Sequence, residues 1–311
     1  MSSNRPCVSI GVPVYNGESF LAKALDSILA QTFEDYEVII SDNASTDGTA
    51  EIARRFAAED ARIRYYRSPK NLGAAKNFNR VFELSSGRYF RWLAADDVCA
   101  PDFLARFVDI LENDPSAVLA YCKPLRIDEQ ENLLPEYYDV LRSSGWRIRP
   151  ALRFRQVLDQ LTFHDSKYAP MYIFGLIRSN ALRRTRPIGN YVYPDPTVLA
   201  ELALIGTFCE VPEHLSFLRS HPDSLSCMYT QNAQKTQEFF DPAIRGRVLV
   251  LLYRWRHYLE LYFSVGRSDL SVREKLLSFA YVTKLCLRKG ASKCWFDLQR
   301  PLSKALGLSS S

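Results

Sequence analysis

The first third of the chain alternates short apolar runs with segments of helical periodicity. The apolar runs are rich in β-branched and aromatic residues and are bounded by polar turns, as buried strands are. They predict strands at residues 7–14, 36–40, 62–66 and 88–93. Between them, apolar side chains recur at helical spacing and predict helices at residues 18–30, 50–58 and 74–84. This alternation predicts repeated βαβ units and a mainly parallel sheet.

The second half continues the pattern less regularly. Helices are predicted at residues 101–112, 153–161 and 198–205, strands at 117–121, 171–177, 208–211 and 215–218, and a hairpin at 127–132. Toward the C-terminus, Leu, Tyr, Phe and Trp alternate with Arg and Lys, which predicts amphipathic helices at residues 232–264 and 271–288. We therefore predict an α/β fold with a Rossmann-like sheet flanked by helices and a C-terminal helical extension.

Composition changes this picture little. The chain has 311 residues, of which 47% are hydrophobic and 24% charged, as is ordinary for a globular enzyme with a substantial core. Its seven cysteines are scattered and form no Cys-x-x-Cys pair, so we expect a reduced, cytoplasmic compartment. Neither a signal peptide nor a transmembrane helix is expected from the sequence.

Charge is unevenly placed along the chain. Residues 241–311 hold 13 Lys and Arg against 5 Asp and Glu, so the net charge of +5 belongs to the C-terminal part. Basic residues beside leucines there, as in Arg254 to Leu261, are typical of a helix that lies on an anionic membrane surface. Helices packed on the main domain with a solvated basic face explain the pattern equally well. Nucleic-acid binding is not expected, because no recognition motif accompanies the charge.

Polar clusters follow the first two strands, at the edge where open α/β sheets bind ligands. Pro13, Tyr15 and Asn16 offer a rigid backbone, an aromatic face and an amide, which suit a nucleotide base. A plain turn is the alternative. Asp42 stands at the end of the second strand, where its carboxylate can accept an N–H from a base, while Asp47 is expected to cap the next helix.

Two more clusters follow the next two strands. Asn71 and Gly73 lead into a helix whose first turn carries Lys76, an arrangement that suits a phosphate, although a solvated surface lysine is as good an explanation. Asp96 and Asp97 follow the strand at 88–93. Adjacent carboxylates repel each other, and a divalent cation relieves that repulsion. The alternative is a polar loop that opens a helix.

In this order, the segments resemble the family 2 glycosyltransferases across roughly residues 7–225. The resemblance rests on four segments: Pro13-x-Tyr15-Asn16-Gly17, Asp42-Asn43-x-Ser45-x-Asp47-x-Thr49, Asn71-x-Gly73-x-x-x-Asn77, and the pair Asp96-Asp97, which we call the acidic tip. It implies a GT-A fold and a hexosyl-type transfer, with inversion, from a nucleotide sugar to a hydroxyl of a glycan, lipid-linked or other acceptor, assisted by Mn²⁺ or Mg²⁺. We expect a GT-A domain at residues 1–230, with donor half 1–125 and acceptor half 126–230, followed by the basic extension 231–311.

The resemblance also implies roles for single residues. It assigns Asp97 to the metal and Asp96 to the ribose or sugar, and neighbouring side chains on an extended backbone do point to opposite sides. It places His221 on the metal or the diphosphate. Asp195, which precedes the helix at 198–205, is the expected base for the acceptor hydroxyl. An N-cap of that helix is the alternative for Asp195.

The acidic tip departs from the family pattern in one position. The family usually reads Asp-x-Asp or Asp-Ala-Asp-Asp, whereas this chain reads Ala94-Ala95-Asp96-Asp97. The missing first acid weakens the expectation of strict metal dependence. A catalytically silent nucleotide-sugar-binding or scaffold protein is therefore the alternative function. The identities of the base, the sugar and the acceptor do not follow from the sequence.

Overall fold

A computed structural model describes residues 5–135, 148–163, 169–191, 194–222, 224, 238–242 and 253–290. The elements of the first half are β1 (Val8–Val14), α1 (Leu21–Leu29), β2 (Tyr36–Asp42), α2 (Thr49–Glu59), β3 (Ile63–Arg67), α3 (Ala74–Glu83), β4 (Tyr89–Trp92), β5 (Val98–Cys99), α4 (Phe103–Asn113), β6 (Ala117–Cys122) and β7 (Leu125–Ile127). Those of the second half are α5 (Pro150–Phe163), a 3₁₀ helix (Ala169–Phe174), β8 (Leu176–Arg178), α6 (Ser179–Leu182), α7 (Asp195–Ile205), β9 (Thr207–Val211), β10 (Ser216–Arg219), α8 (Tyr253–Arg267), α9 (Val272–Leu285) and a π-helical turn (Cys286–Gly290).

Seven strands form the central sheet in the order β3-β2-β1-β4-β8-β6-β9. β1 pairs in parallel with β2 on one side and with β4 on the other, so the strand order reverses between β1 and β4. Only β8 runs antiparallel to its neighbours in this sheet, as far as the structure describes it. The predicted α/β class with a mainly parallel sheet is confirmed. A reversal of strand order opens a crevice at the carboxyl ends of the two strands, here β1 and β4.

Both faces of the sheet are covered by helices. Val8, Ile10 and Val12 face the helices α1, α2 and α4, while Phe90 and Trp92 face α3, α5 and α7. All seven residues of β1 are buried. Strands covered on both faces read as continuous apolar runs, which is why the sequence pattern found them.

A smaller sheet lies beside the crevice in the order β5-β10-β7. β10 pairs antiparallel with β5 and parallel with β7. Because β5 begins directly after Asp97, this pairing brings the end of β10 next to the acidic tip. Residues 219–221 and 96–97 therefore become neighbours, although they are far apart in sequence.

The predicted strand at 171–177 is wrong in its first half. Residues 169–174 form the 3₁₀ helix, and pairing begins at Leu176. Tyr172 and Ile173 are buried, so their apolar pattern reports burial and not strand pairing. At Gly175 a Cβ would lie 2.2 Å from Ala120 O, so the turn between the two elements requires glycine.

The C-terminal helices α8 and α9 pack on α5 and α7. Their shared core contains Phe154, Leu158, Ala200, Leu204, Leu261, Val265, Val282 and Leu285. The prediction of amphipathic helices is confirmed for residues 253–264 and 272–285, whereas residues 241 and 242 interrupt the predicted helix at 232–264. Residues 232–237, 243–252 and the predicted domain boundary at 230 lie outside the described residues. Within the described parts of the chain, no helix is both long and apolar enough to cross a membrane.

Candidate functional site

A cavity of about 710 Å³ opens at the carboxyl ends of β1 and β4. Seven of the predicted site residues line it: Pro13, Tyr15, Asn16, Asn71, Asp96, Asp97 and His221. Among the described residues, the lining does not include Asp42, Lys76 or Asp195. It does include residues that the sequence did not single out as ligand contacts, among them Phe20, Asn43, Asn77, Phe78, Phe174, Arg219, Glu238 and Phe239.

The loops after β1 and β2 hold each other in place. Asn16 N–H donates to Ser45 Oγ (2.9 Å), and Thr46 N–H donates back to Asn16 Oδ1 (2.9 Å). Gly17 N–H donates to Thr49 Oγ1 (2.8 Å). Asn16 occupies the left-handed region at φ 53°, which asparagine tolerates better than most residues. The Asn16 side chain thus builds the loop, and the half-exposed ring of Tyr15 faces the cavity.

Asp42 lies inside the protein. Its carboxylate accepts Ser45 N–H (2.7 Å) and Tyr65 O–H (2.7 Å), and its exposed fraction is 0%. Burial and this hydrogen bond to Asp42 raise the pKa of Tyr65 to about 12. The next residue, Asn43, faces the cavity instead. Its Nδ2 donates to Asn71 Oδ1 (2.9 Å), and its Oδ1 accepts Leu72 N–H (2.8 Å).

The start of α3 is joined to the strand ends by Asn77. Its Nδ2 donates to Ser41 O (2.8 Å) and Val14 O (3.3 Å), and its Oδ1 accepts Ser41 O–H (2.7 Å). Lys76, one residue earlier, is exposed and lies outside the cavity lining. The asparagine of this motif therefore fixes the backbone beneath the cavity.

Asp96 and Asp97 have different partners, but the backbone that carries them is a turn, in which Asp97 N–H donates to Ala94 O (3.2 Å), and not the extended segment that the sequence predicted. Asp97 is buried, and its Oδ1 accepts Arg219 N–H (2.9 Å). Burial raises the pKa of Asp97 well above its ordinary value, and the negative charge of Asp96 adds to the effect. Asp96 is half-buried, and its Oδ2 lies 3.0 Å from His221 Nε2.

Arg219 connects the acidic tip to its surroundings. Its buried guanidinium donates from Nε to Asp96 O (2.8 Å) and from Nη1 to Asp128 O (3.1 Å). Its Nη2 reaches Glu131 Oε1 (3.0 Å). The same guanidinium lies 4.9 Å from the ring of Phe20, which in turn lies 4.9 Å from the His221 ring. The only sequence signal for Arg219 was its place two residues before His221.

Asp195 is the first residue of α7. The cap position of this helix is Pro194, with no side-chain capping hydrogen bond, so the capping alternative is not what the structure shows. Burial raises the pKa of Asp195 to about 7. α7 packs against the 3₁₀ helix, whose Met171 and Phe174 line the cavity. α7 as a whole therefore packs behind one wall of the cavity.

A residue of the C-terminal helices reaches the start of α7. Thr197 Oγ1 lies 3.1 Å from His257 Nδ1 and accepts Tyr191 O–H (3.1 Å). Burial lowers the pKa of His257 to about 4, so the imidazole is neutral near pH 7. α8 thus supports the end of α7 that carries Asp195.

The acidic tip offers few ligands for a metal ion. Among the described residues, no three His, Cys, Asp or Glu side chains are grouped closely enough to enclose one. Asp97 and His221 border the same cavity, and Asp96 Oδ2 lies within hydrogen-bond distance of His221 Nε2. Mg²⁺ is commonly held by one or two carboxylates together with phosphate oxygens and water. The residues present fit a cation that takes its remaining ligands from a bound diphosphate.

Comparison with known sequences gives a consistent result. A sequence model of "Glycosyl transferase family 2" matches residues 9–179, more than half of the chain. An uncharacterized glycosyltransferase of Haemophilus influenzae is 27% identical over 237 residues, which cover 75% of this chain and 71% of the relative. Chondroitin synthase of Escherichia coli is 34% identical over 134 residues, which cover 43% of this chain and only 19% of the relative.

Solved structures share the fold. TarS 1-349 of S. aureus in complex with UDP matches with a TM-score of 0.59 at 14% identity, over 90% of this chain and 71% of that chain. The mannosyltransferase PcManGT of Pyrobaculum calidifontis, in complex with GDP-Man and Mn²⁺, matches with a TM-score of 0.51 at 18% identity, over 98% of this chain and 88% of that chain. At these identities the similarity concerns the fold alone.

Proposed function

The chain belongs to glycosyl transferase family 2, and from this membership we propose that it transfers a sugar, with inversion, from a nucleotide sugar to a hydroxyl of a glycan or lipid-linked acceptor. The observation that carries the proposal is the cavity at the carboxyl ends of β1 and β4. Its lining includes the side-chain amides of Asn43 and Asn71 as well as the Asp96–His221 pair. The solved neighbours support a nucleotide-sugar donor, since TarS 1-349 was solved in complex with UDP-GlcNAc and PcManGT in complex with GDP-Man.

We propose that the nucleotide base lies between Tyr15 and the amides of Asn43 and Asn71. Tyr15 offers an exposed ring for stacking, and the two asparagines offer both donor and acceptor atoms at the cavity wall. The resemblance places Asp42 at the base, yet its carboxylate is already occupied by Ser45 and Tyr65. The Asn43 amide also has partners, Asn71 and Leu72, but unlike Asp42 it lines the cavity, so we propose Asn43 as the residue that contacts the base.

We propose that the acidic tip receives the diphosphate and the metal ion. Asp97 and His221 would hold the cation, as the resemblance implies, and Asp96 would orient His221 by accepting its Nε2–H. Metal-ligating histidines commonly donate their other ring N–H to a carboxylate in this way. A bound Mg²⁺ or Mn²⁺ would neutralise the charge that develops on the departing diphosphate.

We propose from the resemblance that Asp195 supplies the base, although it is not among the described residues that line the cavity. Its carboxylate takes the proton of the acceptor hydroxyl while the hydroxyl oxygen attacks the anomeric carbon. The bond between that carbon and the diphosphate oxygen breaks, and its electron pair leaves with the diphosphate. A carboxyl with a pKa of about 7 is half ionised at neutral pH and is a stronger base than an ordinary aspartate.

The experiment that tests the function measures release of nucleoside diphosphate from UDP, GDP, dTDP and CDP sugars, with and without Mn²⁺ or Mg²⁺. Turnover of at least one donor is expected, and His221→Gln should reduce it. His214→Gln is the matched control, because that exposed ring bonds to Lys123 O and does not line the cavity. Binding of a donor without any release would favour the silent binding protein that Ala94 suggests.

A further inference from the structure

The outward side of α9 and the following turn exposes several large apolar side chains. Val272 is 75% exposed, Leu276 62%, Leu277 46% and Leu287 71%. At 100° per residue Val272, Leu276, Leu277 and the exposed Ala280 fall on one half of the circumference of α9, and Leu287 is exposed in the π-helical turn that follows. Single exposed leucines are common, but four large apolar side chains along α9 and the turn after it form a patch that needs an explanation.

The same face carries only positive charge. Arg273 and Lys284 are exposed between the apolar residues, and the exposed Arg288 follows Leu287 in the π-helical turn. The one acid of this helix, Glu274, lies on the other side, is buried, and accepts Ala151 N–H (2.8 Å). The exposed half of α9, as far as the structure describes it, therefore combines apolar and cationic side chains without an acid.

The orientation of this face is fixed by the fold. Ser278, Val282 and Leu285 are buried on the opposite side, where α9 packs on α5 and α8. Ser271 caps the helix by accepting Glu274 N–H. No other helix in the described part of the chain therefore covers the apolar residues on the outward side of α9.

The chemistry of the face points to one kind of partner. In a two-fold dimer through this face, like patches would meet and the three cations of one copy would oppose those of the other. A nucleic acid would satisfy the cations but would leave the leucines against a charged backbone. An anionic bilayer surface takes both, since leucines enter the interface while Arg and Lys reach the phosphates.

We propose that the α9 face, formed by Val272, Arg273, Leu276, Leu277, Ala280, Lys284, Leu287 and Arg288, docks on an anionic membrane surface. The sequence placed this property in residues 241–311 and drew attention to residues 254–261. In the structure α8 packs through Leu261 and its His257 contacts Thr197, while its Leu259 and Phe263 are 53% and 55% exposed. Glu260 lies between those two residues, so we assign the membrane face to α9, whose exposed half has no acid. The sequence after the turn adds Lys293, Arg300 and Lys304 against one acid, Asp297, so its net charge has the same sign.

The test is co-sedimentation of the full chain with vesicles of phosphatidylcholine alone and of phosphatidylcholine mixed equally with phosphatidylglycerol. Binding to the mixed vesicles, and its loss at high salt, are expected. The double variant Leu276→Asn, Leu287→Asn should weaken binding by about tenfold or more, because two buried leucines are lost. Arg273→Gln, Lys284→Gln and Arg288→Gln should each weaken it by about fivefold.

Two matched controls keep the result specific. Leu133→Asn changes a leucine of equal exposure (64%) elsewhere on the surface, and Lys275→Gln changes a cation of the same helix whose ammonium is held by Gly266 O. Both should bind like the unchanged chain.

Absence of binding to mixed vesicles, equal binding to both kinds of vesicle, or normal binding of the face variants would overturn the proposal. So would a dimer that the double leucine variant converts to a monomer. Release of nucleoside diphosphate without vesicles is measured in parallel, so failure of docking and failure of the proposed transfer are told apart.

Discussion

His221 Nε2 lies 3.0 Å from Asp96 Oδ2, where the end of β10 meets the segment after β4. The two residues are 125 positions apart in the sequence. Arg219 holds the two segments together, because its main-chain N–H donates to the Asp97 carboxylate and its side chain donates to Asp96 O. The acidic tip therefore lies where the central sheet and the smaller sheet meet, and its geometry depends on both sheets.

Changes at the acidic tip should act on metal binding. Asp97→Asn and His221→Gln are expected to lower the affinity for Mn²⁺, in the presence of a nucleoside diphosphate, by about 10- to 100-fold. The loss follows from removal of a ligand where few are available. Isothermal titration calorimetry measures it, and removal of the metal with a chelator should abolish donor turnover. Unchanged Mn²⁺ affinity in both variants would refute the metal assignment.

Arg219 should matter for stability as well as for turnover. Arg219→Lys keeps the charge but cannot reach Asp96 O, Asp128 O and Glu131 together. We expect a loss of about 2–4 kcal/mol in the free energy of unfolding, since carbonyl oxygens lose their donors. Urea denaturation measures it. Arg106→Lys, which alters an exposed ion pair with Glu213, is the control and should cost less than about 1 kcal/mol.

A pair of neighbouring residues tests which side chain reads the base. Asn43→Ala should weaken donor binding about tenfold, because an amide at the cavity wall is lost, and should also lower the free energy of unfolding by about 1–3 kcal/mol, because its bonds to Asn71 and Leu72 are lost. Asp42→Asn should lower the free energy of unfolding by about 1–3 kcal/mol but leave donor affinity nearly unchanged, because its oxygens bind Ser45 and Tyr65. Calorimetric titration with donor and urea denaturation separate the two effects. If Asp42→Asn weakened donor binding and Asn43→Ala did not, Asp42 would be the residue that contacts the base.

Asp195 gives a pH dependence with a definite sign. Its pKa of about 7 in the folded protein exceeds the ordinary 3.8, so the folded state binds this proton more tightly than the unfolded state. The contribution of Asp195 to stability therefore falls as pH rises from about 4 to 7. Base action requires the ionised form, so turnover should rise with pH up to about 7 and then level off.

The variant Asp195→Asn separates the catalytic role from a structural one. It should lower turnover by about 10²- to 10⁴-fold and remove the acidic limb of the pH–rate profile. It should also raise the free energy of unfolding above pH 7, because a buried charge is removed. Wild-type turnover in this variant would show that the base lies elsewhere.

His257 should make the chain sensitive to acid in the opposite direction. Its pKa of about 4 in the folded protein lies below the ordinary 6.5, so the unfolded state binds the proton first. Its contribution to stability is thus lost as pH falls from about 6.5 to 4. Melting temperatures of His257→Gln, measured across this range, should vary less with pH than those of the unchanged chain. Parallel curves for the two proteins would contradict this reading.

The sequence by itself determined the fold class, most of the elements and the family. A strand buried on both faces shows as an apolar run, and a polar loop at its end shows where the run stops, so β1, β2, β4 and their loops could be recognised from local pattern. The motifs were recognisable for the same reason, because hydrogen bonds within and between adjacent loops tie residue types to short spacings. The 3₁₀ helix at Ala169–Phe174 was mistaken for a strand because burial alone does not distinguish the two.

Only the tertiary structure decided which of those residues face the cavity and which are enclosed by the protein. The direction of Asp42 and Asn43 depends on partners from Tyr65 and Asn71, and the place of Arg219 depends on the pairing of β10 with β5. It likewise decided which residues of α8 and α9 pack on α5 and α7 and which remain exposed. Such contacts join residues distant in sequence, and a local pattern of hydrophobic and polar positions carries no record of which distant partner each one meets.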